Sequence, residues 1–398
     1  MTKHVIVGSG VAGMTAALLL TRYDDAQVAL YTKEQHPYYY RPEVTNYLAG
    51  QKTLADLCRR PVSWYENRGI EMHLDTRVTR VLPEQKEIVL EDGAHVAYDQ
   101  LLLAPGSRPF VPPVAGVDKD GVFTIRTLED AQAIQTYIAE TDCERAVVIG
   151  GGLLGLEAAR GLKGMGLEVT IVELLPRLMP LQLDEDGSVI LRDFVKQQGY
   201  HVRVGESAQQ VQGDARVNSV LLQSGATLSA DLVVIATGVR PNTRLAEEAR
   251  LDVDRGIEVN RRMQTSDPDI FAAGDAARCM GKIWAIVPPA QAQARVAAAN
   301  MAGREALYDE VTPSTSLKVV GIAVDSIGEV HPKADENVTE LRRMDMERHR
   351  YTKIVLKEGI VVGAIVIGDA ALAQKLGDRI KNETAMTPED AETLLAAV

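Results

Sequence analysis

Cysteine is scarce in this chain, and its scarcity excludes a good deal. Cys58, Cys143 and Cys279 stand far apart, with no C-x-x-C or C-x4-C spacing among them. A nucleotide-dependent reductase that works through sulfur needs a nearby thiol pair or one activated thiolate. All three therefore read as buried or incidental thiols. The seven histidines show no H-x-x-x-H spacing and no cysteine neighbours, so no metal site is expected. Long hydrophobic runs are also missing: none approaches the roughly 18 residues that cross a bilayer, and no membrane partner is expected. Basic residues are outnumbered, 43 Lys and Arg against 55 Asp and Glu, for a formal charge of −12. That balance argues against nucleic acid as a general partner. Met1-Thr2-Lys3 leads directly into an apolar strand, which leaves no room for a signal peptide and makes the cytoplasm the expected compartment.

What the chain does have is glycine in two telling places. The run His4-Val5-Ile6-Val7-Gly8-Ser9-Gly10-Val11-Ala12-Gly13 leads into Met14–Leu20. Its counterpart, Ala146-Val147-Val148-Ile149-Gly150-Gly151-Gly152-Leu153-Leu154-Gly155, leads into Leu156–Leu162. In each, the first glycine permits a tight strand-to-helix turn. The second lets backbone approach a pyrophosphate, and the third lets helix and strand pack closely. Free N–H groups and the positive end of the helix dipole then hold negative phosphate. One such motif is weak evidence, but two in full strand–turn–helix context point to two dinucleotide sites.

Apolar runs at Val5–Val7, Val28–Tyr31, Leu101–Ala104, Val147–Ile149, Val169–Val172 and Leu232–Ala236 fit buried parallel strands. Two of them exit alike, into Pro105-Gly106-Ser107-Arg108-Pro109 and Thr237-Gly238-Val239-Arg240-Pro241, which suggests an internal duplication. Segments 76–90 and 208–222 alternate apolar and polar residues, as small antiparallel meanders do. After about Thr312 the texture changes to strand-like runs (Leu317–Val324, Ile354–Leu356, Ile360–Ile367) and helices near Ala370–Ile380 and Pro388–Ala397. The expected fold is α/β: two doubly wound, Rossmann-like dinucleotide-binding domains with inserted antiparallel sheets, plus a C-terminal α+β domain.

The strand after the second fingerprint ends in Glu173. An acid there accepts hydrogen bonds from a ribose 2′-OH and repels a 2′-phosphate, favouring NADH over NADPH. Arg177 follows closely and softens that preference. In the first unit the nearest acid is Glu34, preceded by Lys33. A ribose contact and a solvated strand end are both open for it.

The motif order then resembles a known family. The first fingerprint, Leu101–Gly106, the second fingerprint with Glu157, Ala236-Thr237-Gly238, and Thr265-Ser266-Asp267-Pro268-Asp269-Ile270-Phe271-Ala272-Ala273-Gly274-Asp275 occur in sequence. This resembles the pyridine nucleotide–disulfide oxidoreductase superfamily of two-dinucleotide flavoproteins, across essentially the whole chain. Within it, Tyr39-Tyr40-Arg41-Pro42, Leu317-Lys318-Val319 and Ile367-Gly368-Asp369-Ala370-Ala371-Leu372 resemble the NADH:rubredoxin oxidoreductases and the flavoprotein part of NAD(P)H nitrite reductases.

The resemblance implies an FAD-binding domain over 1–109 and 232–311, an NAD(H)-binding domain over 110–231 and a C-terminal domain over 312–398. For FAD it implies Gly8, Ser9, Gly10, Val11, Ala12, Gly13, Lys33, Glu34, Arg41, Pro42, Val78, Ala104, Gly106, Gly274, Asp275 and Val287. For the nicotinamide nucleotide it implies Gly150, Gly152, Leu153, Leu154, Gly155, Glu173 and Gly238. Glu157 and Lys318 match residues beside the flavin, and the resemblance suggests that they pair and stabilise charge there. Departures matter too. Thr45-Asn46-Tyr47 stands where single-cysteine relatives place their thiol, and Val287-Pro288-Pro289-Ala290 where aromatic-oxygenase ferredoxin reductases often carry tryptophan.

The implied activity is hydride transfer from NADH to the flavin, then single-electron delivery to rubredoxin or another small iron–sulfur carrier. The implied assembly is a monomer or homodimer. An NADH oxidase, a peroxide or disulfide reductase, and a slow NADH-sensing flavoprotein are the alternatives. Arg342, Arg343, Arg348, His349, Arg350 and Lys353 form a candidate basic patch for carrier docking, against which Asp345, Glu347 and a solvated hairpin face compete.

Overall fold

The computed structural model describes residues 1–23, 26–309, 314–333 and 337–396. They fall into two compact units: 1–44, 52–108 and 239–311 form the first, and 45–51, 109–238 and 312–398 the second.

The first unit is built on a wholly parallel sheet in the order Ile270–Ala272, Gln100–Leu103, Thr2–Val7, Ala26–Tyr31, Ile70–His73. Its central strands are apolar throughout because they are buried between helices and the residues Val78, Val81 and Ile88 of a small antiparallel meander. Helix Val11–Leu20 is nearly all small or apolar and buries Ala12, Gly13, Met14, Ala16, Ala17 and Leu20. It packs on helix Val287–Met301, which buries Ala290, Ala294, Ala297 and Ala298 in return. Alanine on both surfaces lets the two backbones come close. The expected first meander is present as the antiparallel strands Val78–Leu82, Glu87–Leu90 and His95–Ala97.

The second unit repeats the plan. Its parallel sheet runs His201–Val204, Glu168–Glu173, Arg145–Ile149, Leu232–Ile235, Val122–Thr124. A meander of Ala208–Gln212, Ser219–Leu222 and Thr227–Ser229 covers one face. The boundary expected at 232 therefore moves to 239, because Leu232–Ile235 pairs with the strand that opens the second fingerprint.

The C-terminal segment adds a five-stranded antiparallel sheet to this unit, ordered Ser314–Val319, Ile322–Gly328, Ile360–Ile367, Arg350–Lys357, Val338–Asp345. Helices Ala370–Lys381 and Pro388–Ala396 close over it around Leu372, Leu376, Ile380 and Leu395. The expected single run Leu317–Val324 is in fact two strands. Val320 and Gly321 turn the chain between them with φ of 50° and 109°. Strand Val338–Asp345 was not legible as a strand, since its apolar Val338, Leu341 and Met344 are spaced by three, a helical rather than a strand period.

Candidate functional site: two glycine cradles and a buried carboxylate

Each glycine fingerprint folds into the same turn. Gly8 has φ of 109°, and a Cβ on it would overlap the carbonyl oxygen of Ala104. Gly150 has φ of 119°, and a Cβ there would overlap the carbonyl oxygen of Ala236. The N–H of Gly8 donates to Tyr31 O and that of Gly150 to Val172 O, both at 2.8 Å. Gly13 and Gly155 each lie so close to the carbonyl of Gly8 and Gly150 respectively that no side chain fits. Gly10 and Gly152 are the extended N-caps of helices Val11–Leu20 and Leu153–Gly164, and neither helix has a side-chain cap. An N-terminus left uncapped by side chains suits an anion. The matched geometry accords with the expected duplication.

Around the first turn the structure gathers most of the residues expected there. The guanidinium Nε of Arg41 comes to 4.0 Å from where a Cβ on Gly10 would stand. Arg41 donates to Glu34 Oε1 and, at 3.1 Å, to the Tyr39 hydroxyl. Glu34 is 9 % exposed, and its other oxygen, Oε2, is buried without a hydrogen-bond partner among the described residues. Burial works against the charge on Arg41, but Glu34, Tyr39 and Asp275 outweigh it and hold the guanidinium above its ordinary pKa. Gly274, φ 80°, brings its turn against Ala12, with 3.0 Å to a hypothetical Cβ. Its N–H donates to the buried amide of Gln293 at 2.9 Å, and the next residue, Asp275, accepts from the Ser107 hydroxyl at 2.7 Å. Gly106, φ 68°, precedes Ser107. Lys33 is exposed, Pro42 sits in the short 3-10 turn Arg41–Glu43, and Val287 opens helix Val287–Met301. Val78 lies two residues past Thr76, whose N–H donates to Thr32 O at 2.7 Å, close in sequence to Glu34.

Around the second turn, Glu173 is 8 % exposed and braces the loop. Oε2 accepts from the Gly151 N–H at 2.6 Å and Oε1 from the Leu175 N–H at 2.8 Å. Nε of Arg177 is buried without a hydrogen-bond partner among the described residues. Gly238, φ 104°, is open on its Cα side and its carbonyl accepts from the Phe110 N–H at 2.9 Å.

Helix Leu153–Gly164 also carries Glu157, and beside it lies the segment Thr45–Gln51. Thr45, 2 % exposed, donates its hydroxyl to Glu157 Oε2 at 2.7 Å. Arg160, one turn on, donates to Asn46 and to Gln51 (2.9 Å for the latter) and stands 3.9 Å from Glu157.

Residues 2–306 match the family described as pyridine nucleotide-disulphide oxidoreductase, and residues 313–384 match the rubredoxin NAD+ reductase C-terminal domain. The NADH-rubredoxin oxidoreductase of Clostridium acetobutylicum is 31 % identical over 376 residues, covering 94 % of this chain and 93 % of that one. Its crystal structure aligns with a TM-score of 0.83 at 29 % identity, covering 100 % of both chains. The nitrite reductase [NAD(P)H] of Bacillus subtilis is 36 % identical over 382 residues, which is 95 % of this chain but 47 % of that protein. This chain thus spans about half the length of the nitrite reductase relatives it matches.

The chain belongs to the pyridine nucleotide-disulphide oxidoreductase family. It is a family of NAD(P)H flavoprotein oxidoreductases that use FAD and NADH. The residues present fit both. In the first cradle, the orphan Glu34 Oε2 is a buried acceptor suited to a hydroxyl, and Arg41 sits beside a glycine turn suited to phosphate. In the second, a Cβ on Gly152 would meet nothing within 4 Å, so the helix start is open.

Two expectations gain detail in this frame. Strand Ser314–Val319, which carries Lys318 opposite Ala323, packs beside helix Leu153–Gly164; the Lys318 side chain itself lies outside the described residues. The basic patch is corrected. Lys353 is buried at 3 % exposure and binds Glu340 at 2.8 Å; Arg342 is tied to Glu340 and to Asp186 at 3.4 Å. His349 meets Asp193 at 3.0 Å, Arg348 meets Asp345 at 3.8 Å, and Arg343 donates to Leu395 O at 2.9 Å. Acids thus stand against Lys353, Arg342, His349 and Arg348, four of the six residues of the candidate patch. Sequence reading gave no role to Ser107, Gln293 or Arg160; the partners of Ser107 and Arg160 lie 168 and 114 residues away.

Proposed function

We propose that this protein is an FAD-dependent NADH oxidoreductase that delivers electrons to a small one-electron carrier, with rubredoxin as the preferred acceptor. The observation that carries the choice of acceptor is the likeness of residues 313–384 to the rubredoxin NAD+ reductase C-terminal domain. Bound FAD supplies the chemistry that neither substrate nor side chain can, accepting a hydride and releasing electrons singly.

In this reading Gly8, Ser9, Gly10, Val11, Ala12 and Gly13 present backbone N–H groups to the FAD pyrophosphate, with Arg41 and Pro42 beside it. Glu34 accepts from a ribose hydroxyl, with Lys33 alongside. Ala104, Gly106, Gly274, Asp275 and Val287 line the rest of the cofactor, and Val78 offers backbone to the adenine. Gly150, Gly152, Leu153, Leu154 and Gly155 hold the NADH pyrophosphate. Glu173 shapes the ribose pocket so that NADH is preferred over NADPH, and Gly238 keeps the approach open. Glu157 and Lys318 balance charge where the hydride passes. No thiol is needed. Cys58 and Cys279 donate to the carbonyls of Pro37 and Asn260, Cys143 lies against Thr141, and Thr45 is the residue beside Glu157.

Anaerobic addition of NADH to the pure protein should bleach the flavin absorbance within the mixing time of a stopped-flow instrument. Rubredoxins, ferredoxins, disulfides and oxygen are then offered in turn to the reduced protein. Fastest turnover with rubredoxin supports the reading. A disulfide or oxygen as the better acceptor overturns the choice of carrier.

A further inference from the structure

We infer that Thr45 is the positioning residue for Glu157, fixing its carboxylate through one hydroxyl. The inference rests on the reading that Glu157 serves at the point of hydride transfer.

Helix position alone does not fix a glutamate, whose side chain has three rotatable bonds. The Thr45 hydroxyl does so from outside the helix, at 2.7 Å from Oε2. Its own place is set independently of that bond. Leu48 packs against Gly161, where a Cβ would come within 3.1 Å of Leu48 Cδ2, and Gln135 holds the Tyr47 carbonyl at 2.8 Å. Threonine is β-branched and stiff at χ1, so a packed backbone aims the hydroxyl.

Arg160 sits one turn along the same helix and stands 3.9 Å from the carboxylate, an ion pair without a hydrogen bond. Two of its nitrogens donate to the side-chain oxygens of Asn46 and Gln51. One short segment, Thr45–Gln51, thus does two things: it donates a hydroxyl to the acid and holds the guanidinium at its longer distance. The hydroxyl makes the hydrogen bond that orients the acid, and the guanidinium adds charge attraction only.

The test compares wild type with Thr45→Val, Thr45→Ser, Glu157→Gln and the Thr45→Val/Glu157→Gln double variant, all loaded with FAD. Stopped-flow flavin reduction gives the limiting rate and the NADH dissociation constant separately. Thr45→Val should lower the limiting rate by about tenfold, as loss of a hydrogen bond to a charged group does. The NADH dissociation constant should stay within about twofold of wild type, and Thr45→Ser should restore most of the rate. In the Glu157→Gln background Thr45→Val should have no further effect, since it acts through the acid. A wild-type rate in Thr45→Val alongside a slow Glu157→Gln overturns the proposal, as does an additive loss in the double variant. A wild-type rate in Glu157→Gln overturns the reading of Glu157 itself. Should Thr45→Val fail to hold FAD, Thr45→Ala is measured against the same outcomes.

Discussion

Arg41 and Glu34 share one hydrogen bond and leave one acceptor over: Nη2 donates to Oε1, while Oε2 is buried beside it with no partner among the described residues. An unmet buried acceptor destabilises a protein unless something arrives to satisfy it. Glu34→Ala removes that acceptor and also strips Arg41 of its acid. FAD should then bind about 10- to 100-fold more weakly, the range for one or two charge-assisted hydrogen bonds. Fluorescence titration of apoprotein with FAD measures this, and an unchanged dissociation constant would remove Glu34 from the cofactor site.

Gly8→Ala and Gly150→Ala are the same change in two matched turns, so their effects should separate the two nucleotides. Both glycines have positive φ, and both would drive a methyl group into a carbonyl oxygen, of Ala104 or of Ala236. Strain of this kind is worth about 1–3 kcal/mol before the overlap is counted. Gly8→Ala should purify with little or no bound flavin. Gly150→Ala should stay yellow but need at least about tenfold more NADH for half-maximal flavin reduction. A colourless Gly150→Ala protein would contradict the assignment of the second turn to NADH.

Much of this site was legible because its chemistry is local in sequence. Gly8 through Gly13, Gly150 through Gly155, and the strand-end acids Glu34 and Glu173 announce themselves by spacing from one strand. What stayed hidden depends on distant partners. The Thr45–Glu157 bond joins residues 112 apart, and the Ser107–Asp275 bond residues 168 apart. Hydroxyls carry no periodic signal, so nothing in the sequence marks either one. Part of the pairing of the basic patch was hidden for the same reason. Arg342, His349 and Lys353 cluster in sequence, whereas Asp184, Asp186 and Asp193, which offset them, come from the nucleotide-binding half of the same unit. Strand Val338–Asp345 was obscured by the three-residue spacing of its apolar side chains.

Glu173 was read as a ribose ligand, and its geometry gives it a second duty. Both oxygens accept backbone N–H groups, from Gly151 inside the turn and Leu175 beyond the strand. Glu173→Ala should therefore disorder the turn as well as the ribose pocket. We expect NADH and NADPH both to bind more weakly, NADH by about tenfold or more, with FAD content unchanged. A variant that loses NADH affinity but gains NADPH affinity would show that repulsion of the 2′-phosphate outweighs the brace.

Lys353 is buried among Glu340 Oε1 at 2.8 Å, Val330 O at 3.0 Å and Asp184 Oδ2 at 3.8 Å. The Asp184 carboxylate also accepts from the Tyr351 hydroxyl at 2.6 Å. Burial alone would raise the Glu340 pKa, but hydrogen bonds from Lys353 and Arg342 outweigh it and hold the carboxyl below its ordinary value. Lys353→Met fills the space but takes one cation away from two acids. Removing one partner of a buried pair destabilises by about 3–5 kcal/mol. Chemical denaturation should show a loss near the lower end, because Glu340 keeps Arg342; a loss under about 1 kcal/mol would mean that water already screens the cluster.

His4 sits in the central strand of the first sheet, 2 % exposed, and its Nδ1 has no hydrogen-bond partner among the described residues. Burial pushes its pKa below the ordinary 6.5, only partly opposed by Asp99. The folded protein thus favours the neutral imidazole, while the unfolded chain takes up a proton near 6.5. Stability from this group is whole above that value and is lost as pH falls from it toward the lower folded pKa. One proton sets a limiting slope of about 1.4 kcal/mol per pH unit. Denaturation midpoints compared between about pH 8 and about pH 5.5 should fall more steeply for wild type than for His4→Val, since histidine is the side chain that normally titrates there. Parallel pH profiles for the two proteins would mean that the imidazole is protonated within the fold, with Asp99 rather than burial deciding its state.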